Sequence, residues 1–419
     1  MEDHPRKARG TANPAERARQ SSIGPVTDSA VADDSRRLLD GAVDALPEGR
    51  LAKQLDEGRP LRVKFGVDPT SPDIHLGHCV VLMKLRAFQD AGHTVVLIVG
   101  DYTARVGDPS GRDATRPILS PDELEANART YEEQAFTVLD RERTELRHNS
   151  EWLAMKSDEL FGLIRRFTVA RLLEREDFTQ RMRRDEPISA LELLYPVLQG
   201  YDSVAVRSDV ELGATDQKFN LLFARDVQSS FGVPEQSILT MPILVGTDGT
   251  RKMSKTYGNY VGVTDSPEEM FGKLMSIPDD AMEQYYRLLL ARTLDPRVHP
   301  GEAKRELARA LVERFHHADG AAAAEARFDQ LHVRGDVPDD VEDAVVRASG
   351  PNGAVHLPAV LADNFGLSRS EARRLIDQGG VRIGGNAVEA GTLDVPSAEL
   401  DGQVIQVGKR RHARVRDGP

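Results

Sequence analysis

The amino-acid sequence predicts an α/β protein built on a Rossmann-like parallel sheet with a helical insertion, followed by an α-helical domain and a small α+β module. Three observations carry that prediction. The apolar run Val63 to Val67, a helical stretch from His75 to about Asp90, a turn at Gly92 and a second apolar run, Val95 to Val99, follow at short spacing. That order implies a parallel strand pair joined by a right-handed crossover, with ligands expected at the carboxyl ends of the strands. Between about 120 and 192 the chain turns charged and helix-prone, and β character returns from Ser237 to Val245. After Pro267 the pattern is helical, with an Ala-rich stretch around Ala321 to Ala326.

The elements group into four predicted segments. Residues 1–35, rich in Arg, Ala, Ser, Pro and Asp without apolar periodicity, read as a disordered leader. Residues 36–265 form the parallel-sheet domain, its insertion at about 120–192, and 266–350 the helical domain. A polar segment from Gly335 to Asp343 and the run Pro351-Asn352-Gly353 punctuate the passage to a final module at 355–419. There a helix is expected from Ser368 to Gln378, with Ser368 as cap, Glu371 at the capping-box position and Gly379-Gly380 as the stop. Short strands at Val381 to Ile383 and Val404 to Val407 precede a basic tail.

Composition narrows the function. With 419 residues and 40% hydrophobic content the chain is long enough for two or three domains with sizeable cores. No stretch has the length of a membrane span and no apolar secretory signal opens the chain, so no membrane partner is expected. The single cysteine, Cys79, excludes an intramolecular disulfide, suits a reducing cytoplasm and reads as small core filler. A net charge of -12 argues against indiscriminate coating of nucleic acid, so any RNA contact must be local. Arg369, Arg373 and Arg374 share one helix face, and Lys409, Arg410, Arg411, Arg414 and Arg416 crowd the tail. A basic tail is also an ordinary solvated feature.

Two short segments carry the chemistry. In Asp68-Pro69-Thr70-Ser71-Pro72-Asp73-Ile74-His75-Leu76-Gly77-His78, a Pro-rich turn leads from a strand into a helix. A helix N-terminus offers unpaired N–H groups and a positive dipole end, which suits a triphosphate. His75 and His78 lie on one face of its first turn. Read alone, H-x-x-H is also compatible with two surface histidines or two metal ligands, although the H-E-x-x-H zinc spacing is absent. The second segment, Lys252-Met253-Ser254-Lys255-Thr256, lies between Gly246, Gly249 and Gly258, and by itself could be a solvated basic turn. Tyr195, Gln199 and Asp202 stand at i, i+4 and i+7, one polar stripe on a helix in which Pro196 is expected to perturb the register. On spacing alone the stripe is equally a structural hydrogen-bond set.

Together the two segments resemble the HIGH and KMSKS signatures of class I aminoacyl-tRNA synthetases. The runs Gly100-Asp101-Tyr102-Thr103-Ala104-Arg105-Val106-Gly107-Asp108-Pro109-Ser110-Gly111, Tyr195-Pro196-Val197-Leu198-Gln199-Gly200-Tyr201-Asp202 and Gly213-Ala214-Thr215-Asp216-Gln217 narrow the resemblance to the bacterial tyrosyl-tRNA synthetase family, from about Leu38 onward. The final module resembles the S4-type RNA-binding fold. The resemblance implies activation of L-tyrosine by ATP with Mg2+, no tightly bound cofactor and no protein-held metal. It also implies transfer to tRNA(Tyr) and a homodimer joined through the insertion. Catalysis would fall to Thr70, His75, His78, Lys252 and Lys255, and ATP to Asp68, Gly77, Asp216 and Lys255. Tyrosine would be held by Lys64, Asp108, Tyr195, Gln199, Asp202 and Gln217. Tyr195, Gln199 and Asp108 take its ammonium, Asp202 its phenol and Gln217 its carboxyl end. Arg369, Arg373, Arg374, Lys409, Arg410 and Arg411 would contact RNA.

Three departures stand out. Lys64 occupies the place of a second phenol-contacting tyrosine in many members and is expected to line the site. Ala214 replaces a glycine, and Thr256 the usual final serine. Ala214 and Thr256 keep open a tyrosine-activating paralogue serving a biosynthetic pathway; the other alternative is an RNA-binding protein on an inactive synthetase scaffold.

Overall fold

The computed structural model describes residues 36–110, 119–334, 343–346, 353–408 and 411–417. The leader at 1–35, the segment expected to punctuate the last boundary, and Lys409 and Arg410 lie outside or largely outside the described residues. The chain divides into two compact units between Leu244 and Val245.

The first unit is organised by a six-stranded sheet. Its strands are β1 (Asp44–Leu46), β2 (Arg62–Val67), β3 (Thr94–Val99), β4 (Thr144–His148), β5 (Val210–Ala214) and β6 (Ser237–Met241). They run in the order β1-β6-β5-β2-β3-β4. All neighbours are parallel except the edge pair β1 and β6. The expected parallel pair is present, with Val63 opposite Val95 and Val67 opposite Val99. From β2 the chain proceeds outward through β3 and β4, then returns to the other side of β2 as β5 and β6. The carboxyl ends of β2 and β5 therefore flank a topological switch point, where a crevice forms in doubly wound sheets.

The helix Leu76–Asp90 links β2 to β3 and packs on β3 and β5. It buries Leu76, Cys79, Leu82, Leu85 and Phe88 at helical spacing, and Cys79 is the core filler expected. Each large apolar side chain so buried contributes about 1.5–3 kcal/mol. Gly92, at φ 89°, turns the chain back into β3.

The insertion is helical as expected, with Pro121–Ala135, Ser157–Ile164 and Glu176–Arg183 its longer helices, but it also supplies β4. Thr144 to His148 are all partly exposed, as on an edge strand, so no apolar run marks them in the sequence. Gln89, fully buried, fixes that strand by donating to Thr144 Oγ1 at 2.8 Å and the Asp140 carbonyl at 3.0 Å.

In the second unit the helices Pro267–Met275, Met282–Leu290 and Pro300–Asp329 bear out the helical reading, the last interrupted at His317, φ 65°. The final module has strands at Val381–Ile383 and Val404–Val407, as expected, and a helix at Arg369–Asp377 capped by Ser368, which accepts from the Glu371 amide. Arg411–Asp417 is not merely a tail. It is a strand antiparallel to Val404–Val407 and parallel to Asp343–Val346. Its small apolar signal, Ala413 and Val415 buried between basic residues, is masked in the sequence by the arginines.

Candidate active site

At the carboxyl end of β2, Asp68 Oδ1 accepts from Thr103 Oγ1 at 2.7 Å and Oδ2 from the Tyr195 hydroxyl at 3.0 Å. Gly100, the first residue after β3, permits this contact, since a Cβ there would collide with Asp68 Oδ1 and Thr103 Oγ1. Burial, opposed by the Thr103 hydrogen bond and reinforced by the Asp108 carboxylate, raises the Asp68 carboxyl to about 7. Burial, with the nearby Asp68 carboxylate, pushes the Tyr195 hydroxyl well above its ordinary range, so it remains a donor.

The Tyr195–Ala205 helix places Tyr195, Gln199 and Asp202 on one stripe. Pro196 does not kink it. It stands in the first turn, where its missing N–H breaks no helical bond. Asp202 is 3% exposed and accepts from Trp152 Nε1 at 2.8 Å and from Asn149 Nδ2 at 3.4 Å. Burial raises its carboxyl to about 6 against the opposing pull of Lys64, Trp152 and Asn149. Asn149, whose Nδ2 also reaches Thr103 Oγ1 at 2.9 Å, ties the surroundings of Asp68 and Asp202 together.

Asp108 Oδ2 accepts from Gln217 Nε2 at 2.7 Å, and Oδ1 accepts from Ser110 N and Oγ at 2.9 and 2.7 Å. Gln217 is fixed in turn by Asn220, and Asn220 by the buried guanidinium of Arg175. Asp216 is exposed in the turn after β5, two residues beyond Ala214 at the strand's end. Thr70 lies half-buried in the turn after β2, its amide donating to the Asp68 carbonyl at 2.7 Å.

Lys64 corrects the expectation. Its side chain is fully buried and lines no open surface; its Nζ reaches Glu211 Oε1 at 2.9 Å, Ser203 Oγ at 2.7 Å and the Gln199 carbonyl at 2.9 Å. An ammonium has three hydrogens, and all three are engaged, so none is left for a ligand.

At the start of the Leu76–Asp90 helix, His75 is the N-cap. His75 Nδ1 accepts from the Gly77 amide at 3.1 Å, and His78 Nδ1 accepts from the His75 amide at 3.2 Å. The rings stack with centroids 3.9 Å apart. A neutral imidazole whose Nδ1 accepts carries its hydrogen on Nε2, so both histidines are Nε2 donors.

In the second unit, Lys252 to Thr256 form a loop anchored by buried Met253 and Asn259. Asn259 Oδ1 accepts from the Ser254 amide at 2.8 Å, while Nδ2 donates to the Lys252 carbonyl at 3.1 Å and Asp248 Oδ2 at 3.0 Å. Asp248 feels some desolvation, but hydrogen bonds from Thr250, Asn259 and Arg251 hold its carboxyl at about 2. Lys252 is exposed and Lys255 half-exposed, its Nζ 5.9 Å from the Tyr260 ring centroid. Arg369, Arg373 and Arg374 are exposed, as is Arg411, whose Nη1 donates to the Phe365 carbonyl.

Sequence reasoning missed Thr103, Asn149, Trp152, Glu211 and Asn259. Trp152, the chain's one tryptophan, was the available signal.

Residues 56–332 match the family model for class I tRNA synthetases (W and Y), and residues 357–393 match the S4 domain. The chain belongs to the class I tRNA synthetases of the tryptophan and tyrosine family. Within that synthetase family it is 51% identical over 379 residues to the tyrosine–tRNA ligase of Burkholderia mallei, covering 87% of this chain and 90% of that one. It is 48% identical over 397 residues to the tyrosine–tRNA ligase of Bordetella avium, covering 91% and 96%. The synthetase fold is shared with the Archaeoglobus fulgidus tyrosyl-tRNA synthetase complexed with L-tyrosine (TM-score 0.58, 23% identity, 70% of this chain and 99% of that one). It is shared also with the C-terminally truncated mitochondrial tyrosyl-tRNA synthetase of Aspergillus nidulans (TM-score 0.60, 22% identity, 72% and 93%).

Proposed function

We propose that this synthetase is a tyrosine–tRNA ligase that converts L-tyrosine and ATP to tyrosyl-adenylate and pyrophosphate, then passes the acyl group to the 3′ end of tRNA(Tyr). One observation carries the tyrosine reading beyond the relatives' names. Asp68 and Asp108 bear on each other electrostatically beside the Tyr195 hydroxyl, and Gln199 Oε1 is buried with no hydrogen-bond partner among the described residues. Converging carboxyls and an unsatisfied acceptor call for a cation rich in donors, which the α-ammonium of an amino acid is. Asp202, on the next turn of the same helix face, accepts the phenol hydrogen; a phenylalanine ring would leave it facing an apolar edge. Choice of tyrosine over phenylalanine is the standing illustration of this rule rather than a result independent of it.

The nucleophile is the substrate's own carboxylate, attacking the α-phosphorus in line, so no general base is required. What the protein supplies is position and charge. Thr70 and the Nε2–H groups of His75 and His78 serve the phosphates at the helix N-terminus beside Gly77. Asp216 takes the ribose, and Lys252 and Lys255 neutralise the departing pyrophosphate. Mg2+ enters with ATP as part of the substrate.

The exposed arginines of the Arg369–Asp377 helix, with the tail, serve tRNA. Phe161, Val169, Met182 and Leu191 in the insertion are 66%, 59%, 55% and 45% exposed, which supports burial of this surface in a homodimer. Among the described residues no helix is long and apolar enough to cross a membrane, and the single cysteine fits a cytoplasmic setting. ATP–pyrophosphate exchange run with each of the twenty amino acids, followed by charging of tRNA(Tyr), tests the reading. Exchange with tyrosine and charging are expected; exchange without charging would identify a biosynthetic paralogue, and no exchange an RNA-binding scaffold.

A further inference from the structure

Behind the polar stripe lies a buried cluster that the reaction itself does not use. Glu211, on β5 and 1% exposed, accepts at Oε1 from Lys64 Nζ (2.9 Å) and Gln199 Nε2 (3.1 Å), and at Oε2 from Ser203 Oγ (3.2 Å) and Gln236 Nε2. Its four acceptor positions face four donors, and the three hydrogens of Lys64 face three acceptors. The consequence falls on Gln199. An amide can present either end, but a carboxylate accepts only from the NH2 end, so Glu211 fixes the nitrogen inward and leaves Oε1 as the buried atom without a partner among the described residues. Lys64 holds the same residue from the other side through its backbone carbonyl.

We propose that the Lys64–Glu211 pair is a positioning device for the tyrosine ammonium: it locks the Gln199 amide with its oxygen offered as acceptor. This rests on the assignment of Gln199 to the ammonium. Glu211 supplies the orientation. Lys64 supplies the countercharge to the buried Glu211 side chain, in place of any direct contact with substrate. Stability alone is a weak reason for such a pair, because well-packed apolar side chains commonly replace a buried ion pair without loss, whereas removing one member leaves an uncompensated charge.

The test compares Q199A, the double variant K64M/E211M and the triple variant, measuring tyrosine and ATP KM in pyrophosphate exchange, with thermal unfolding to establish that each folds. Q199A is expected to raise the tyrosine KM about tenfold. K64M/E211M is expected to raise it by a similar factor with the ATP KM unchanged, and Q199A added to that background should cost less than about twofold more. A tyrosine KM in the double variant within about twofold of the parent, or a full Q199A penalty in the triple, would overturn the proposal. If Q199A alone leaves the tyrosine KM unchanged, the fault lies in the ammonium assignment and the proposal falls with it. Should the double variant not fold, the isosteric E211Q decides: about a fivefold rise in tyrosine KM with ATP KM intact supports the device, and no change overturns it.

Discussion

Tyr195 donates its phenolic hydrogen to Asp68 Oδ2 at 3.0 Å, joining the first residue of the stripe helix to the turn that follows β2. The bond sits among several acids, and its pH behaviour follows. Asp68, whose ordinary carboxyl value is 3.8, is raised to about 7, and Asp202 to about 6. A folded-state value above the unfolded one means the folded protein holds the proton more tightly. The resulting stabilisation is present below about 4 and is lost as pH rises through about 6 to 7. The groups are close enough to titrate as a set. The ligand-free protein is therefore expected to lose a few kcal/mol of this contribution between pH 5 and 8, followed by thermal or urea unfolding. D68N should flatten that slope. Tyrosine binding runs the other way: its KM should rise as pH falls from about 7.5 to 6, as Asp68 beside the ammonium and Asp202 at the phenol take up protons.

Gly100 tests the same contact sterically. A methyl group there would collide with both Asp68 Oδ1 and Thr103 Oγ1. G100A is expected to cost roughly 1–3 kcal/mol in unfolding experiments and to reduce tyrosine-dependent exchange. Unchanged stability and activity would mean that Asp68 does not need Thr103.

Asn259 organises the Lys252–Thr256 loop through three hydrogen bonds to the loop and Asp248. N259A should lower kcat for exchange about tenfold or more while leaving the tyrosine KM within about twofold, because the loop lysines act on the triphosphate and not on the amino acid. Faster amide hydrogen exchange confined to the loop would accompany it.

Arg369, Arg373 and Arg374 stand exposed on one short helix. Replacing all three by alanine is expected to raise the KM for tRNA and to flatten the dependence of tRNA binding on salt, by about one unit of log–log slope for each phosphate no longer neutralised. Pyrophosphate exchange, which needs no tRNA, should be unaffected.

How far the sequence could be read depended on whether the signal was local. The β2 and β3 runs, the helix opening at His75 and the Ser368 cap are local patterns, and each reappears in the structure. The stripe of Tyr195, Gln199 and Asp202 was legible because its residues repeat at helical spacing. Its partners were not, because Trp152, Asn149 and Glu211 come from distant points in the chain and meet the stripe only in three dimensions. Lys64 shows the limit most clearly. Strand alternation places it on the face shared with Asp68, but only the position of Glu211 reveals that its charge is consumed internally. β4 and the final strand escaped for a different reason, since a half-exposed edge strand and an arginine-rich strand both lack the apolar run that announces a strand.

The most direct measurement is the ratio of kcat/KM for tyrosine to that for phenylalanine in pyrophosphate exchange, compared between the parent and D202A. If Asp202 reads the phenol, the parent strongly prefers tyrosine and the ratio collapses toward unity in D202A, mainly through tyrosine. A ratio that survives the loss of Asp202 would show that Trp152 and Asn149 are its whole purpose and that tyrosine is recognised elsewhere.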